Sequence, residues 1–475
     1  MAYRKGNREQ VTFLPPSIED YVGLDNPVRA YDVFVESLDF EELGIIINPY
    51  KVGNSSYDPK VMLKLLVYAY SYGVFSSRKI EREVYHNLSF IWLVGGLKPD
   101  HKTIAEFRRK NKKGISQVLK ECARLCIKLD LIDGNTLFLD GSKFRANAGI
   151  KNSWTEDRCE KVLKEVDSRI EVILSECEKA DLNEQGQESF VSMKEELQDR
   201  QKLKYKVENI LKELRESGHK SINSTDPECV NVKGRQGSHA GYNVQSVVDE
   251  KHGFIIHTDV VNENNDRNQF ANQINQANET LEKKCSIACA DTGYDNTGEL
   301  KKIDDQEIKV IVPLQQQANK DKLQGFDKDN FKYDRQRDCY LCPERHELNR
   351  KTVNTTKNSI IYQITDSSIC LGCQHFNTCT TNKDGRRISR LIEEDAREKF
   401  KSEYNQPESQ AIYKLRQQKV ELPFGYIKYN LRANGFLMRG REGTKAEISL
   451  LASCFNLSRM ITLLGVSGII EKLAS

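Results

Sequence analysis

The sequence predicts an α/β protein, with a mixed-sheet core to which helical elements have been added. Three observations carry this. Apolar runs of strand length, Thr136–Asp140, Ser286–Ala290 and Ile308–Val312, are each bounded by polar or Gly residues. Apolar residues ahead of the first run recur at helical spacing. Between the first run and the next strands lies a long charged stretch with helical stripes. At 475 residues the chain should hold two to four units. With 38% hydrophobic and 30% charged residues, it reads as a soluble protein with charged helical faces. No apolar run approaches the roughly 18 residues of a membrane span, and the polar start Met1–Glu9 has no signal-peptide core. The expected compartment is the cytoplasm. No phosphate-binding loop of the G-x-x-x-x-G-K-[ST] type occurs, which argues against nucleotide hydrolysis.

In the amino-terminal part, Asp58-Pro59 supplies a cap and a first-turn Pro for a helix carrying Val61, Leu65, Tyr68 and Tyr72, closed by Gly73. Ser77 is placed to cap a second helix with Ile80, Val84 and Leu88. Thr103–Glu106 reads as a capping box opening a helix with Phe107, Ile115, Leu119 and Ala123. Short helices with basic faces, including Arg108 and Arg109, suit a helix-turn-helix reader of DNA and an ordinary bundle equally well.

Thr136–Asp140 is the first strand. From Thr155 to Ser221, the stripes Val162, Val166, Ile170, Ile173 and Leu203, Val207, Ile210, Leu214 predict a helical hairpin, interrupted at Asn183–Ser189. Tyr242–Val248 and Phe254–Val261 form a β-hairpin. Asp266–Leu281 is helical, Ser286–Ala290 a strand, Asn296–Ile303 a helix and Ile308–Val312 a strand. This order matches a ribonuclease-H-like mixed sheet.

Asp140 and Asp291 each end a strand, and Glu421 lies in a late helical stretch. Carboxylates held rigidly at a sheet rim suit hard divalent cations, and two such ions can activate an attacking oxygen and stabilise a leaving one on a phosphodiester. Lys428 follows Glu421 by seven residues, near one helix face after two turns; Pro423 interrupts that path unless it sits in a first turn or at a kink. Asp226, Asp249, Asp266 and Asp295 are competing carboxylates.

Tyr413, Arg416, Glu421 and Lys428, with the stretches Gly241–Gln245, Ala290–Tyr294 and Phe455–Arg459, resemble the signature of bacterial insertion-sequence DDE transposases. Tyr57–Pro59 and His101–Ile104 resemble that family's amino-terminal domain. The Arg-to-Glu gap is one residue longer than the family's pattern, which leaves Lys419 as an alternative to Arg416. The resemblance implies two Mg²⁺ (or Mn²⁺) ions, with Asp140 bridging both and Asp291 and Glu421 each completing one. It also implies cleavage at the element's ends, joining to target DNA, and a dimer or larger assembly on double-stranded DNA in the cytoplasm, associated with the nucleoid. A catalytically silent DNA-binding derivative and a nuclease of the same fold are the alternative functions.

The net charge of +3 says little about partners, but Gln410–Lys445 holds eight Lys or Arg against two acids. Lys428, Arg416, Lys419, Arg439 and Arg441 there, with Arg108 and Arg109, are the candidate DNA contacts.

Of thirteen cysteines, five cluster: Cys339, Cys342, Cys370, Cys373 and Cys379. Two C-x2-C pairs suit a structural, zinc-ribbon-like Zn²⁺ site. Five candidates compete for four places, with Cys379 able to replace Cys373. The block reads as polar, strand-poor and short of a core, so that a metal would supply what packing does not. The expected organisation is a helical DNA-binding domain over 1–130, the core begun over 131–154, a helical-hairpin insertion over 155–221, the core resumed over 222–314, a Cys-rich insertion over 315–395, and carboxyl-terminal core helices with Glu421 over 396–475.

Overall fold

The computed structural model describes residues 17–47, 56–182, 187–234, 237–315, 325–355 and 359–474. The polar start of the chain and the first part of the expected break after Leu182 lie outside these residues. The protein is mixed α/β.

The amino-terminal helices are α1 (Val28–Glu36), α2 (Pro59–Ser71), α3 (Ser77–His86), α4 (Leu88–Leu93), α5 (His101–Lys110) and α6 (Lys112–Lys128). As the sequence predicts, Asp58 caps α2, accepting the Lys60 amide at 2.8 Å. Gly73 leaves the helix at φ 70°, a conformation that costs Gly little. Two other starts differ from expectation. The cap position of α3 is Ser76, not Ser77. The Thr103–Glu106 box does not form, because the Asp100 carboxylate accepts the Thr103 amide at 2.7 Å and starts α5 earlier. A carboxylate at that end also gains from the helix dipole. Glu106 turns to Arg109 instead, and the single helix expected there is broken at Asn111.

Next come β1 (Thr136–Arg145), β2 (Ser153–Trp154), α7 (Glu156–Leu182), α8 (Gln187–Ser217), β3 (Ile222–Asn223), β4 (Val230–Gly234), β5 (Gly237–Asp249), β6 (Ile255–Val261) and α9 (Phe270–Leu281). They are followed by β7 (Ile287–Cys289), α10 (Thr297–Asp304), β8 (Lys309–Ile311), β9 (Lys332–Asp334), β10 (Cys339–Leu341), β11 (Glu347–Asn354) and β12 (Ser359–Ile364). The last elements are α11 (Ser367–Leu371), β13 (Arg387–Leu391), α12 (Glu394–Tyr404), α13 (Pro407–Gly425), a π-helical turn at Tyr426–Asn430, and α14 (Arg441–Ala474), broken at Gly465. Two compact units result. One comprises residues 1–266, 275–284 and 417–475, the other 267–274 and 285–416.

In the first unit β5 is the central strand. β1 pairs antiparallel along one edge, from Leu137 opposite Asp249 to Arg145 opposite Gly241. β6 and β4 pair antiparallel along the other. The alternation of β1 is therefore set by its partner well past Asp140, where the apolar run ends. α14 is long and apolar enough, by length and composition, to cross a membrane, which the run-length reading of the sequence missed. It packs on α1, α2, α6 and β6 with Ile448, Leu451, Cys454, Phe455 and Leu457 buried, as a core helix does. α7 and α8 pack on each other around Cys159, Val207, Ile210, Leu211 and Leu214, and Trp154 and Ile222 close the base of this cluster.

In the second unit β7 and β8 are parallel, joined by α10. The Cys-rich stretch is not strand-poor. It forms a five-stranded antiparallel sheet in the order β13-β12-β11-β10-β9. Its core is small and aromatic: Phe331, Tyr340, Leu348, Tyr362, Ile364 and Ile388. Arginines complete it, with the Arg390 guanidinium 3.8 Å from the Tyr333 ring centroid and that of Arg386 5.3 Å from Phe331. Hydropathy undercounts such a core because Arg and Tyr supply much of its contact surface.

Candidate active site

Asp140 stands midway along β1, with Ser142 and Phe144 next on the same strand face. Lys428, in the π-helical turn, reaches this face. Its Nζ donates to Ser142 Oγ at 2.6 Å and to the Lys143 carbonyl at 2.9 Å, and lies 4.5 Å from the Phe144 ring centroid. Burial pulls the Lys428 ammonium below its ordinary pKa, and Asp140 opposes that shift.

Helix α13 carries Glu421. Lys419 donates to the Lys251 carbonyl at 3.2 Å, beyond the end of β5 that pairs with the start of β1, while Phe424 meets Phe144 at 6.2 Å between ring centroids. This last part of the helix thus lies along β1, and Glu421 falls between its two anchors. Glu421 is exposed and accepts Gln417 Nε2 at 3.1 Å. Pro423 remains inside the helix, in its last turn. Its ring nitrogen has no proton to give the carbonyl one turn earlier. The chain then widens into the π turn that presents Lys428, so the simple two-turn alignment of Glu421 with Lys428 is altered.

The competing carboxylates have structural roles. Asp266 lies on the other face of β1. It accepts Asn243 Nδ2 and Gln245 Nε2, each at 2.7 Å, and a Cβ on Gly141 would come within 2.6 Å of its Oδ1. Asp226 is buried and accepts the Tyr242 hydroxyl at 2.8 Å. Asp249 accepts the Gly134 amide at 2.8 Å. Asp295 pairs with Arg397 at 2.9 Å in the second unit.

Also in the second unit, Asp291 follows β7 and accepts the Gly293 amide at 2.8 Å, which caps the short turn Thr292–Tyr294. Arg416 Nη2 stands 3.9 Å from Asp291 Oδ2, and its guanidinium lies 5.6 Å from the Tyr413 ring centroid. The side chain of Arg416 is 12% exposed and that of Asp291 40%. Arg416 therefore acts as a partner to a carboxylate more than as an outward DNA contact. Tyr413 and Ser142 are functional neighbours that the sequence reading gave no role. The signature tyrosine and the Asp140-Gly141-Ser142 tripeptide were the available signals.

The basic candidates divide similarly. Arg108 is held inside the helical part by Tyr70 Oη at 2.9 Å, the Phe75 carbonyl at 3.1 Å and Ser77 Oγ at 3.3 Å, which replaces the DNA contact expected of it. Arg441 donates to the Val260 carbonyl at 2.9 Å. Arg109 and Arg439 are exposed, the first with Glu106 and the second donating through Nε to the Asn147 carbonyl.

Of the five clustered cysteines, Cys342, Cys370, Cys373 and Cys379 line one cavity of about 40 Å³. Cys339 does not line it. Its neighbour on β10, Tyr340, points into the aromatic core, so Cys339 faces the opposite way and is buried there. As they stand, no three His, Cys, Asp or Glu side chains among the described residues are close enough together to hold a metal ion.

A family model described as a transposase domain (DUF772) matches residues 16–110, and one described as a transposase DDE domain matches residues 341–461. The second segment contains Glu421 and Lys428, whereas Asp140 and Asp291 lie in neither. Searches of curated proteins and of solved structures gave no significant match. Both matched families are transposase families, and the chain belongs to the insertion-sequence DDE transposases, enzymes that cleave DNA and transfer its strands.

Proposed function

We propose that this transposase cuts at the ends of its own insertion sequence and joins the released 3′ ends to target DNA, with Asp140, Asp291 and Glu421 as the catalytic carboxylates. The observation that carries this reading is Lys428: within the matched DDE segment, it docks on the strand of Asp140 from the element that carries Glu421. The donor chemistry fits Mg²⁺ or Mn²⁺, since all three side chains offer hard oxygens at partly or fully exposed positions. When bound, such ions supply a more acidic water and charge stabilisation at the phosphorus.

The chain's own residues do the rest. Asp140 and Asp291 are held by strand ends, which limits their motion, and Glu421 comes from a helix anchored on both sides. The Lys428 ammonium, beside Asp140, offsets negative charge where a phosphate would approach. Arg416 orients Asp291. Lys428, Arg439 and Arg109 are the proposed phosphate contacts. Lys419, Arg441 and Arg108 are held by protein partners. Two ends must be joined, so the working form is a dimer or larger, acting on chromosomal DNA in the cytoplasm.

The test uses a labelled fragment carrying one element end. Asp291→Asn should bind it at least as well as the parent, because one negative charge is gone, and cleave almost nothing in Mg²⁺. Parent-level cleavage by Asp291→Asn would remove Asp291 from the site. Strand transfer by the parent separates a transposase from a nuclease of the same fold, and cleavage itself separates both from a silent derivative.

A further inference from the structure

The five-stranded sheet of the second unit gathers four thiols that the transposition chemistry does not use. Cys342 follows β10, Cys370 lies in α11, Cys373 just after it, and Cys379 in the next loop. All four are partly buried, unpaired by disulfides, and line one small cavity.

Their backbone surroundings are specific. The Cys342 sulfur accepts the His346 amide at 3.3 Å, that of Cys373 the His375 amide at 3.5 Å, and that of Cys370 the Arg386 amide at 3.5 Å. Amides aimed at sulfur favour the thiolate and orient it, as groups behind a metal's ligands do. The chain is bent to aim them. The Arg345 amide bonds back to the Cys342 carbonyl at 2.8 Å, the Cys342 amide to the His346 carbonyl at 3.0 Å, and Arg345 takes φ 63°. A left-handed non-Gly residue is held only where its surroundings require it. A second turn, with the Cys373 amide on the Cys370 carbonyl at 3.2 Å, bends the other pair similarly. Gly385 fits close behind, where a Cβ would lie 3.4 Å from the Cys370 sulfur.

We propose that Cys342, Cys370, Cys373 and Cys379 bind one structural Zn²⁺ as four thiolates, and that Cys339 takes no part. Four thiolates suit tetrahedral Zn²⁺ with sulfur distances of about 2.3 Å. Each sulfur moves on a single rotatable bond, so convergence on the ion needs side-chain rotation, not refolding. The histidines beside the cavity are not required: His375 Nε2 is with Glu344 at 3.1 Å, and the four thiolates fill the coordination sphere. Arg386 donates to the Cys379 carbonyl at 2.9 Å and to the Phe326 carbonyl at 2.8 Å, placing a guanidinium next to the excess negative charge of the site. The ion would tie α11 and its loops to the end of a sheet whose own core is thin.

The test is metal content of the full chain purified without chelators, with no cleavage assay involved. The parent and Cys339→Ser should each carry about one Zn²⁺ per chain. Cys370→Ser and Cys379→Ser should carry little. Should those variants fail to fold, the parent loaded with Co²⁺ gives an independent answer, because four-thiolate tetrahedral Co²⁺ has intense sulfur charge-transfer and visible bands. Zinc-free parent protein, zinc lost from Cys339→Ser, or octahedral, weakly absorbing Co²⁺ would each overturn the assignment.

Discussion

The strand that carries Asp140 and the sheet that carries the cysteines reach order by different means. β1 is surrounded by apolar side chains: Leu137, Phe138, Leu139 and Phe144 are all fully buried. Burial of that kind is worth about 1.5–3 kcal/mol per large side chain. The Cys-rich sheet has six buried apolar or aromatic residues in its core and relies on Arg390, itself 5% exposed, to fill the remainder. One region is set by the hydrophobic effect. The other depends on directional contacts among Tyr, Arg and Asp, and its thiol cluster belongs to that second kind of solution.

The largest effect should come from the first region. Phe138→Ala leaves a large void in a close-packed strand and should destabilise the protein by about 3–5 kcal/mol in denaturant melts. A loss under 1 kcal/mol would contradict the contrast drawn here. In the second region, Arg390→Met keeps bulk but removes bonds to Tyr340 Oη at 3.3 Å and Glu398 at 3.2 Å and the cation over Tyr333. A loss of about 2–3 kcal/mol is expected, since a charged hydrogen bond is worth about 1.5–3 kcal/mol. If Arg390→Met were neutral, the small core would suffice by itself.

A third effect depends on pH and belongs to the first unit. Burial pushes the Glu447 carboxyl up to about 7, against the Met438 and Leu437 amides that it accepts and the Arg108 charge. The folded state then holds a proton that the unfolded chain has released, so stability falls as pH rises from about 4.5 to 7 and levels off above. The drop is up to about 3 kcal/mol. Melts of Glu447→Gln should lose this slope, while a slope retained in the variant would assign it to another group. Smaller still, Gly141→Ala pushes a methyl into Asp266 and Gln245 and should cost about 1–3 kcal/mol. Arg109→Ala should change stability by less than about 0.5 kcal/mol, while the salt slope of DNA binding falls by about one phosphate.

Much of the site was legible before any fold was known. Apolar runs that stop at Asp140 and near Asp291 mark strand ends because a charged side chain does not continue a buried strand. Asp58-Pro59 marks a helix start through local chemistry. Where two local signals competed, reading failed: Asp100 and Thr103 are both cap residues, and only the packed helix selects the earlier. The same holds for Arg108, a basic residue like Arg109 in sequence, which Tyr70 and Ser77 draw inward.

The sequence by itself determined the class of the protein, the positions of its main strands and the carboxylates that matter, because these depend on local patterning and residue chemistry. Tertiary structure decided three things. It extended β1 through Arg145, since β5 supplies the pairing that a polar stretch cannot supply alone. It kept Pro423 within α13, where the anchors at Lys419, Phe424 and Lys428 hold the helix along β1. It divided the five cysteines into four that share a cavity and one that does not, because side chains alternate along β10 and one residue reverses the face.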